Sequence, residues 1–91
     1  MNTNEAFGMA LRKVRRGKGM SQEDFDSAHR SYISGLERGK KSPTLNMVES
    51  LADEMGVSPL TLVLATYAEK HPDTPPEALV QKALEELKNL P

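Results

Sequence analysis

The sequence predicts an all-α fold, and three observations support this prediction. Apolar residues repeat at helical spacing in every periodic stretch, no stretch alternates as a strand would, and glycines and prolines fall where helices would end or begin. A chain of 91 residues is long enough for one hydrophobic core. We therefore predict a five-helix domain over residues 1–70, followed by a proline-rich turn and one additional C-terminal helix over residues 71–91.

Three helices are predicted in the N-terminal half of the chain. Helix one covers about residues 4–18 and ends at two nearby glycines. Ser21 is placed to cap a short helix two, in which Phe25 is the only large apolar residue. Helix three covers about residues 28–38 and ends at Gly39.

Three further helices are predicted in the C-terminal half. Helix four follows the capping residue Thr44, and its apolar stripe consists of Leu45, Val48, Leu51, Ala52 and Met55. Helix five starts at Ser58 and Pro59, runs to about Lys70 and is apolar around most of its circumference. Helix six runs to about Asn89, and its apolar stripe consists of Leu79, Val80, Ala83, Leu84, Leu87 and Leu90.

The apolar surface of helices five and six exceeds what one small core needs. We therefore expect a symmetric homodimer built from these two helices. The alternative is a monomer in which helix six folds back over helix five and covers both apolar faces.

Composition argues against several functional classes. The chain has no cysteine, which excludes disulfides and thiolate metal sites. His29 and His71 lie 42 residues apart, so we expect no metal site, no cofactor and no enzyme. No signal peptide is visible, and the longest apolar run, residues 62–65, is too short to span a bilayer. We expect a soluble cytoplasmic protein without a membrane partner.

The charge is divided along the chain, although the net charge is only −1. Residues 1–41 contain nine Lys or Arg against five Asp or Glu, and residues 42–91 contain three against eight. A basic half that faces a polyanion and an acidic half that faces away is the pattern expected of a nucleic-acid binder. The alternative is that both halves are ordinary solvated surfaces.

A local pattern in residues 20–58 makes the functional prediction more specific. Met-Ser-Gln-Glu-Asp-Phe at 20–25 precedes Arg-Ser-Tyr-Ile-Ser-Gly-Leu-Glu-Arg-Gly-Lys at 30–40, and Leu-Ala-Asp-Glu-Met-Gly-Val-Ser follows at 51–58. This pattern resembles the Xre/phage-repressor helix-turn-helix family, especially the controller proteins of restriction-modification systems, over about residues 5–68. The resemblance implies a repressor-like domain that regulates transcription as a homodimer, with helix three of each copy in the major groove of double-stranded DNA at a pseudo-palindromic operator.

The resemblance also assigns roles to three residues outside the exposed face of helix three. Gln22 would clamp a phosphate at the N-terminus of helix two. Glu37 would pair with Arg15 and so hold helix three on helix one. Gln22 and Glu37 are only fifteen positions apart, about three fewer than in the family. We therefore expect helix two to lose its last turn.

A recognition helix must pack one side on its domain and present polar side chains to base edges. Ile33 and Leu36 form the expected packed side, and Gly35 would leave room for a base edge. Arg30 suits the paired acceptors of guanine, and the lysines after the helix would meet the flanking DNA backbone. The residues predicted to contact DNA are Gln22, His29, Arg30, Ser31, Tyr32, Ser34, Arg38, Lys40 and Lys41.

The sequence allows other interpretations of these residues and of the whole domain. Arg30 could be a solvated surface residue, Tyr32 a half-buried packing residue, and Ser31 and Ser34 tolerated polar positions. The same domain also serves in antitoxins, in which case a partner protein would cover helices five and six.

Overall fold

A computed structural model describes the backbone of residues 1–91 and the side chains of residues 1–26 and 30–91. No strand occurs over this described backbone, so the predicted all-α class is confirmed. The chain forms α1 Thr3–Gly17, a 3₁₀ turn Gln22–Asp24, α2 Ser27–Glu37, α3 Leu45–Met55, α4 Pro59–Lys70 and α5 Pro76–Lys88.

The predicted helix two is a single 3₁₀ turn, so the described backbone holds five α-helices instead of the expected six. The chain leaves this turn in an extended conformation at Phe25, whose side chain is buried in the core. The backbone N–H of Asp26 then donates to Oε1 of Glu54 in α3 at 2.5 Å. Too few residues separate Gln22 from α2 for an α-helical turn, so Phe25 and this bond fix the connection instead.

Side-chain caps begin α1, α3 and α4, and the caps at Thr44 and Ser58 were predicted. Asn2 and Glu5 form a reciprocal capping box that starts α1. Oγ1 of Thr44 accepts from Met47 N–H at 3.1 Å, and Ser58 caps α4 in the same way. These bonds satisfy backbone donors that have no partner inside the helix.

Helices α1, α2, α3 and α4 share one hydrophobic core. It contains the predicted inner faces of these helices and the phenyl ring of Phe25 (Phe7, Leu11, Phe25, Ile33, Leu36, Val48, Leu51, Ala52, Met55 and Leu62). Leu45, which we expected in the buried stripe of α3, is instead 82% exposed. It is the first residue of the helix, and it lies outside the part of the stripe that meets the core.

The C-terminal helix α5 packs against α4 but covers little of it. Every residue of α5 except Leu79 is exposed, and the large apolar residues exposed at this end of the chain are Val80, Leu84, Leu87 and Leu90. The structure therefore does not show the alternative arrangement, in which the C-terminal helix folds back over α4 and covers both apolar faces within a monomer. The protein is elongated, with extents of 42 × 25 × 23 Å.

Helices α1 and α2 approach each other closely at Gly8. A Cβ atom at this position would lie 2.4 Å from the backbone oxygen of Leu36 and 2.6 Å from that of Glu37. Because backbone atoms at a helix end cannot give way as a flexible side chain can, Gly8→Ala should force α1 and α2 apart. We expect it to lower the free energy of unfolding by about 3 kcal/mol.

Gly17→Ala is the matched control, because a Cβ at Gly17 would meet no atom within 4 Å. We expect that change to alter the free energy of unfolding by less than about 1 kcal/mol. Urea unfolding of both variants checks the contrast, and similar stabilities for the two would contradict the close helix crossing.

Candidate nucleic-acid interface

Helix α2 has one buried side and one exposed side, as the sequence predicts. Ile33 and Leu36 lie in the core, whereas Arg30, Ser31 and Ser34 are exposed. This division leaves a row of short polar and basic side chains on the outer surface of a helix that is anchored from within. Such a surface fits the dimensions and chemistry of the major groove of DNA.

Arg30 lies close to the 3₁₀ turn. Its Nη2 donates to the backbone oxygen of Glu23 at 3.2 Å, which ties the start of α2 to the turn before it. A guanidinium group has five N–H donors and this bond uses one of them, so the bond still leaves donors for a paired contact with guanine.

Tyr32, Gly35 and Lys41 form one contact group on the surface of α2. The alkyl chain of Lys41 lies against Gly35, and its Nζ is 4.4 Å from the centroid of the Tyr32 ring. The space beside Gly35, which we expected to be open to a base edge, is filled by this lysine, so that expectation is wrong. Tyr32 is 43% exposed and therefore remains on the surface.

The remaining residues predicted to contact DNA are Arg38, Lys40 and His29. Nε of Arg38 donates to the backbone oxygen of Ser34 at 3.2 Å, and Arg38 is otherwise an exposed residue at the end of α2. Lys40 is exposed in the loop that follows. The side chain of His29 lies outside the described residues.

Gln22 occupies a different environment from the one we predicted. Its Nε2 donates to Oε1 of Glu37 at 3.1 Å, so part of its side chain faces the protein. The expected helix N-terminus beside it is replaced by a 3₁₀ turn of three residues, which has no comparable dipole. A phosphate contact by Gln22 stays a prediction, without the support of that helix.

The Glu37 carboxylate is the centre of a buried ionic cluster. Arg15 donates to it through Nε at 2.6 Å and Nη2 at 2.9 Å, which confirms the predicted pair. Arg12 adds a bond from Nε at 3.2 Å, alongside the one from Gln22. The cluster therefore joins α1, the 3₁₀ turn and the end of α2 at one point.

Electrostatics in this cluster favour the charged forms of both partners. Burial raises the pKa of Glu37, but the hydrogen bonds from Arg15, Gln22 and Arg12 outweigh it and leave the pKa below its usual value. The hydrogen bond to Glu37 likewise raises the pKa of Arg15. The bond from Arg12 to Glu37 was not predicted from the sequence, although Arg12 lies three residues before Arg15 and therefore on the same face of α1.

Two further features of the described residues concern metal binding and membrane insertion. Among the described residues, no group of His, Cys, Asp and Glu side chains is arranged to hold a metal ion. None of the described helices is both long enough and apolar enough to cross a membrane.

The anchored helix α2, its exposed polar face and the turn before it define a helix-turn-helix domain. The sequence matches the family described as "Helix-turn-helix" over residues 11–62, more than half of the chain. The protein belongs to this Xre-like helix-turn-helix family, and the resemblance found in the sequence is confirmed.

Two curated proteins are similar to this chain. An uncharacterized HTH-type transcriptional regulator, y4dJ, from Sinorhizobium fredii is 35% identical over 69 residues, which cover 72% of this chain and 90% of that protein. The control protein C.BamHI from Bacillus amyloliquefaciens is 36% identical over 66 residues, which cover 68% of this chain and 82% of that protein. No solved structure matches the chain.

Proposed function

We propose that this protein regulates transcription by binding a specific DNA sequence as a homodimer at a pseudo-palindromic operator. The single observation that carries the proposal is the exposed face of α2, where Arg30, Ser31 and Ser34 lie opposite the buried Ile33 and Leu36. One relative is named a transcriptional regulator and the other a control protein, which supports regulation as the outcome of binding. A cytoplasmic location remains part of the proposal.

The other predicted contacts surround this face. Tyr32, Arg38, Lys40 and Lys41 are exposed on α2 or in the loop after it, where they can reach base edges or the flanking phosphates. Residues 1–41 carry a local net charge of +4. This local excess supports attraction to DNA even though the whole chain is slightly acidic.

Arg30→Ala should reduce the preference for the operator over unrelated duplex. A bidentate contact between arginine and guanine contributes about 1–3 kcal/mol of discrimination, which corresponds to a loss of specificity of about fivefold to 150-fold. The experiment selects a preferred sequence from random duplex DNA and then compares the Kd values of the selected and shuffled duplexes by fluorescence anisotropy.

Lys82→Ala is the matched control, since it also removes one positive charge but lies on α5. It should leave the ratio of the two Kd values unchanged. If Arg30→Ala also leaves that ratio unchanged, Arg30 does not read a base.

The homodimer rests on the exposed stripe of α5. Leu84 is 45% exposed and Leu87 is 66% exposed, on a helix that the rest of the chain hardly covers. A second copy would bury both stripes by two-fold symmetry and double the DNA contacts. Residues 71–91 would then act as a dimerisation extension of the domain at 1–70.

Sedimentation equilibrium of the protein without DNA tests the dimer. We expect wild type at about twice the 10.0 kDa chain mass. The double variant Leu84→Glu with Leu87→Glu should be a monomer, because dimerisation would then bury unpaired carboxylates. Leu45→Glu is the matched control, since it makes the same change at an exposed leucine on α3 and should remain dimeric.

A wild-type protein that is monomeric at tens of micromolar would contradict this interface. A stable complex with a different polypeptide at the α5 stripe, formed in preference to self-association, would favour the antitoxin-like alternative.

A further inference from the structure

We propose that Lys41 is a positioning residue for sequence recognition, because it holds Tyr32 in place on the DNA-facing surface of α2. The proposal rests on the proposed function and deepens it. It assigns Lys41 a role in discriminating between DNA sequences, in addition to a charge that attracts any sequence.

The path of the Lys41 side chain across α2 is the first observation. A Cβ atom at Gly35 would lie 3.2, 3.1 and 3.0 Å from Cγ, Cδ and Cε of Lys41. These contacts are tighter than ordinary van der Waals distances, so three successive methylene groups follow the space that a side chain at position 35 would need. Because Gly35 has no side chain, the Lys41 chain can pass across α2 at this position.

Gly35 has no conformational reason to be glycine. It lies within α2 and is not among the glycines with positive φ, which are Gly19, Gly39 and Gly56. Glycine inside a helix is unfavourable relative to alanine. Contact with the Lys41 chain gives a physical reason for a glycine at this position.

The second observation is the contact between the ammonium group and the aromatic ring. Nζ of Lys41 lies 4.4 Å from the centroid of the Tyr32 ring, within the range of a cation–π interaction. Tyr32 precedes Gly35 by three residues, so both lie on the same side of α2. The lysine thus crosses one helical turn and ends over the ring.

The backbone that carries Lys41 is itself fixed. The N–H of Lys40 donates to the backbone oxygen of Gly35 at 2.9 Å, and Gly39 closes the helix with a φ of +72°. Lys41 therefore starts from a defined position directly after the recognition helix. The groove in which Tyr32 and Lys41 meet is also lined by Leu36, Ser42, Pro43, Thr44 and Met47.

These contacts restrict the side chain of Tyr32 on a surface where it is 43% exposed. A restricted ring loses less conformational entropy when it meets a base edge or a thymine methyl group. Among the described residues, the lysines that lie over aromatic rings are Lys41 and Lys70, and not the neighbouring Lys40, which has the same charge and is exposed in the same loop. Lys40 is therefore the matched control.

The first experiment needs no DNA. In NMR spectra of the free protein, the δ and ε protons of Lys41 should be shifted upfield by the Tyr32 ring, and Tyr32→Leu should abolish that shift. Unshifted Lys41 protons in the wild-type protein would overturn the proposal whatever the protein binds.

The second experiment compares binding to a selected operator duplex with binding to a shuffled duplex of equal length. Lys41→Met keeps the alkyl chain and removes the charge, and it should reduce the ratio of the two affinities by about three- to tenfold. Gly35→Ala, which displaces the Lys41 chain, should reduce this ratio in the same direction. Lys40→Met should weaken both duplexes equally and leave the ratio unchanged.

The same comparison in a Tyr32→Leu variant distinguishes two effects of Lys41, the positioning of the Tyr32 ring and the attraction of phosphate by its charge. In that background Lys41→Met should no longer change the ratio, because the ring it positions is gone. If Lys41→Met instead behaves like Lys40→Met in both backgrounds, Lys41 contacts only phosphate and the proposal is wrong. Absence of binding by the wild-type protein to any duplex would reject the proposed function itself and the recognition role with it.

Discussion

Glu37→Ala should lower the free energy of unfolding by about 3–5 kcal/mol. The carboxylate accepts two bonds from Arg15 and one each from Arg12 and Gln22, and its side chain is fully buried. Removing it leaves the guanidinium of Arg15 buried without its counter-charge. Urea unfolding at neutral pH measures this loss.

Glu69→Ala provides the matched control for Glu37→Ala. Glu69 also pairs with a basic residue of α1, since it accepts from Nζ of Lys13 at 2.5 Å, but that lysine is largely exposed. An exposed pair contributes about 1 kcal/mol or less because water screens it. Equal losses for the two variants would mean that the Glu37 cluster is not the anchor of α2.

The stabilising effect of Glu37 should also depend on pH, in a direction fixed by its pKa. The folded protein holds this pKa below the usual value of 4.5, so the unfolded chain takes up the proton first as pH falls. The contribution of the carboxylate is therefore fully present well above pH 4.5 and is lost as pH drops through the lowered pKa of the folded state. A Glu37→Gln variant should accordingly approach wild-type stability only below that range.

The pairing of Glu37 with Arg15 could be predicted because it depends on a family pattern and on the register of two helices. The convergence of Arg12 and Gln22 on the same carboxylate could not be predicted from the sequence. It depends on the crossing of α1 with α2 and on the path of the 3₁₀ turn, which periodicity does not describe.

The surface of α2 also has one feature that could be predicted from the sequence and one that could not. Burial of Ile33 and exposure of Arg30 follow from helical spacing, and both were predicted. The position of Lys41 over Gly35 arises from a loop residue returning to the helix, so spacing within the helix gave no sign of it.

The C-terminal helix could be located from its prolines and apolar stripe, yet its partner could not. A stripe at helical spacing fits equally well against its own domain or against a second copy. Only the fold shows that Leu84 and Leu87 stay exposed when the chain is alone.

DNA binding should weaken steeply as salt increases, and this is the second large effect that we expect. A dimer that neutralises about six to eight phosphates releases a similar number of counterions, which gives a slope of log K against log salt of about −5 to −7. The affinity should then fall about a thousandfold or more between about 50 and 200 mM salt. The whole chain has a net charge of −1, so such a slope requires the local positive charge of residues 1–41 to face the DNA.

The most direct test of DNA recognition by the basic face is therefore a salt series of duplex affinity, measured by anisotropy with the full-length protein. The proposed function predicts tight binding at low salt with a slope of about −5 to −7 for wild type. For the proposed dimer carrying Lys40→Ala, which would lose one phosphate contact per copy, the slope should be about two units shallower. A flat salt response, or no binding to any duplex at low salt, would contradict the assignment of this protein as a DNA-binding regulator.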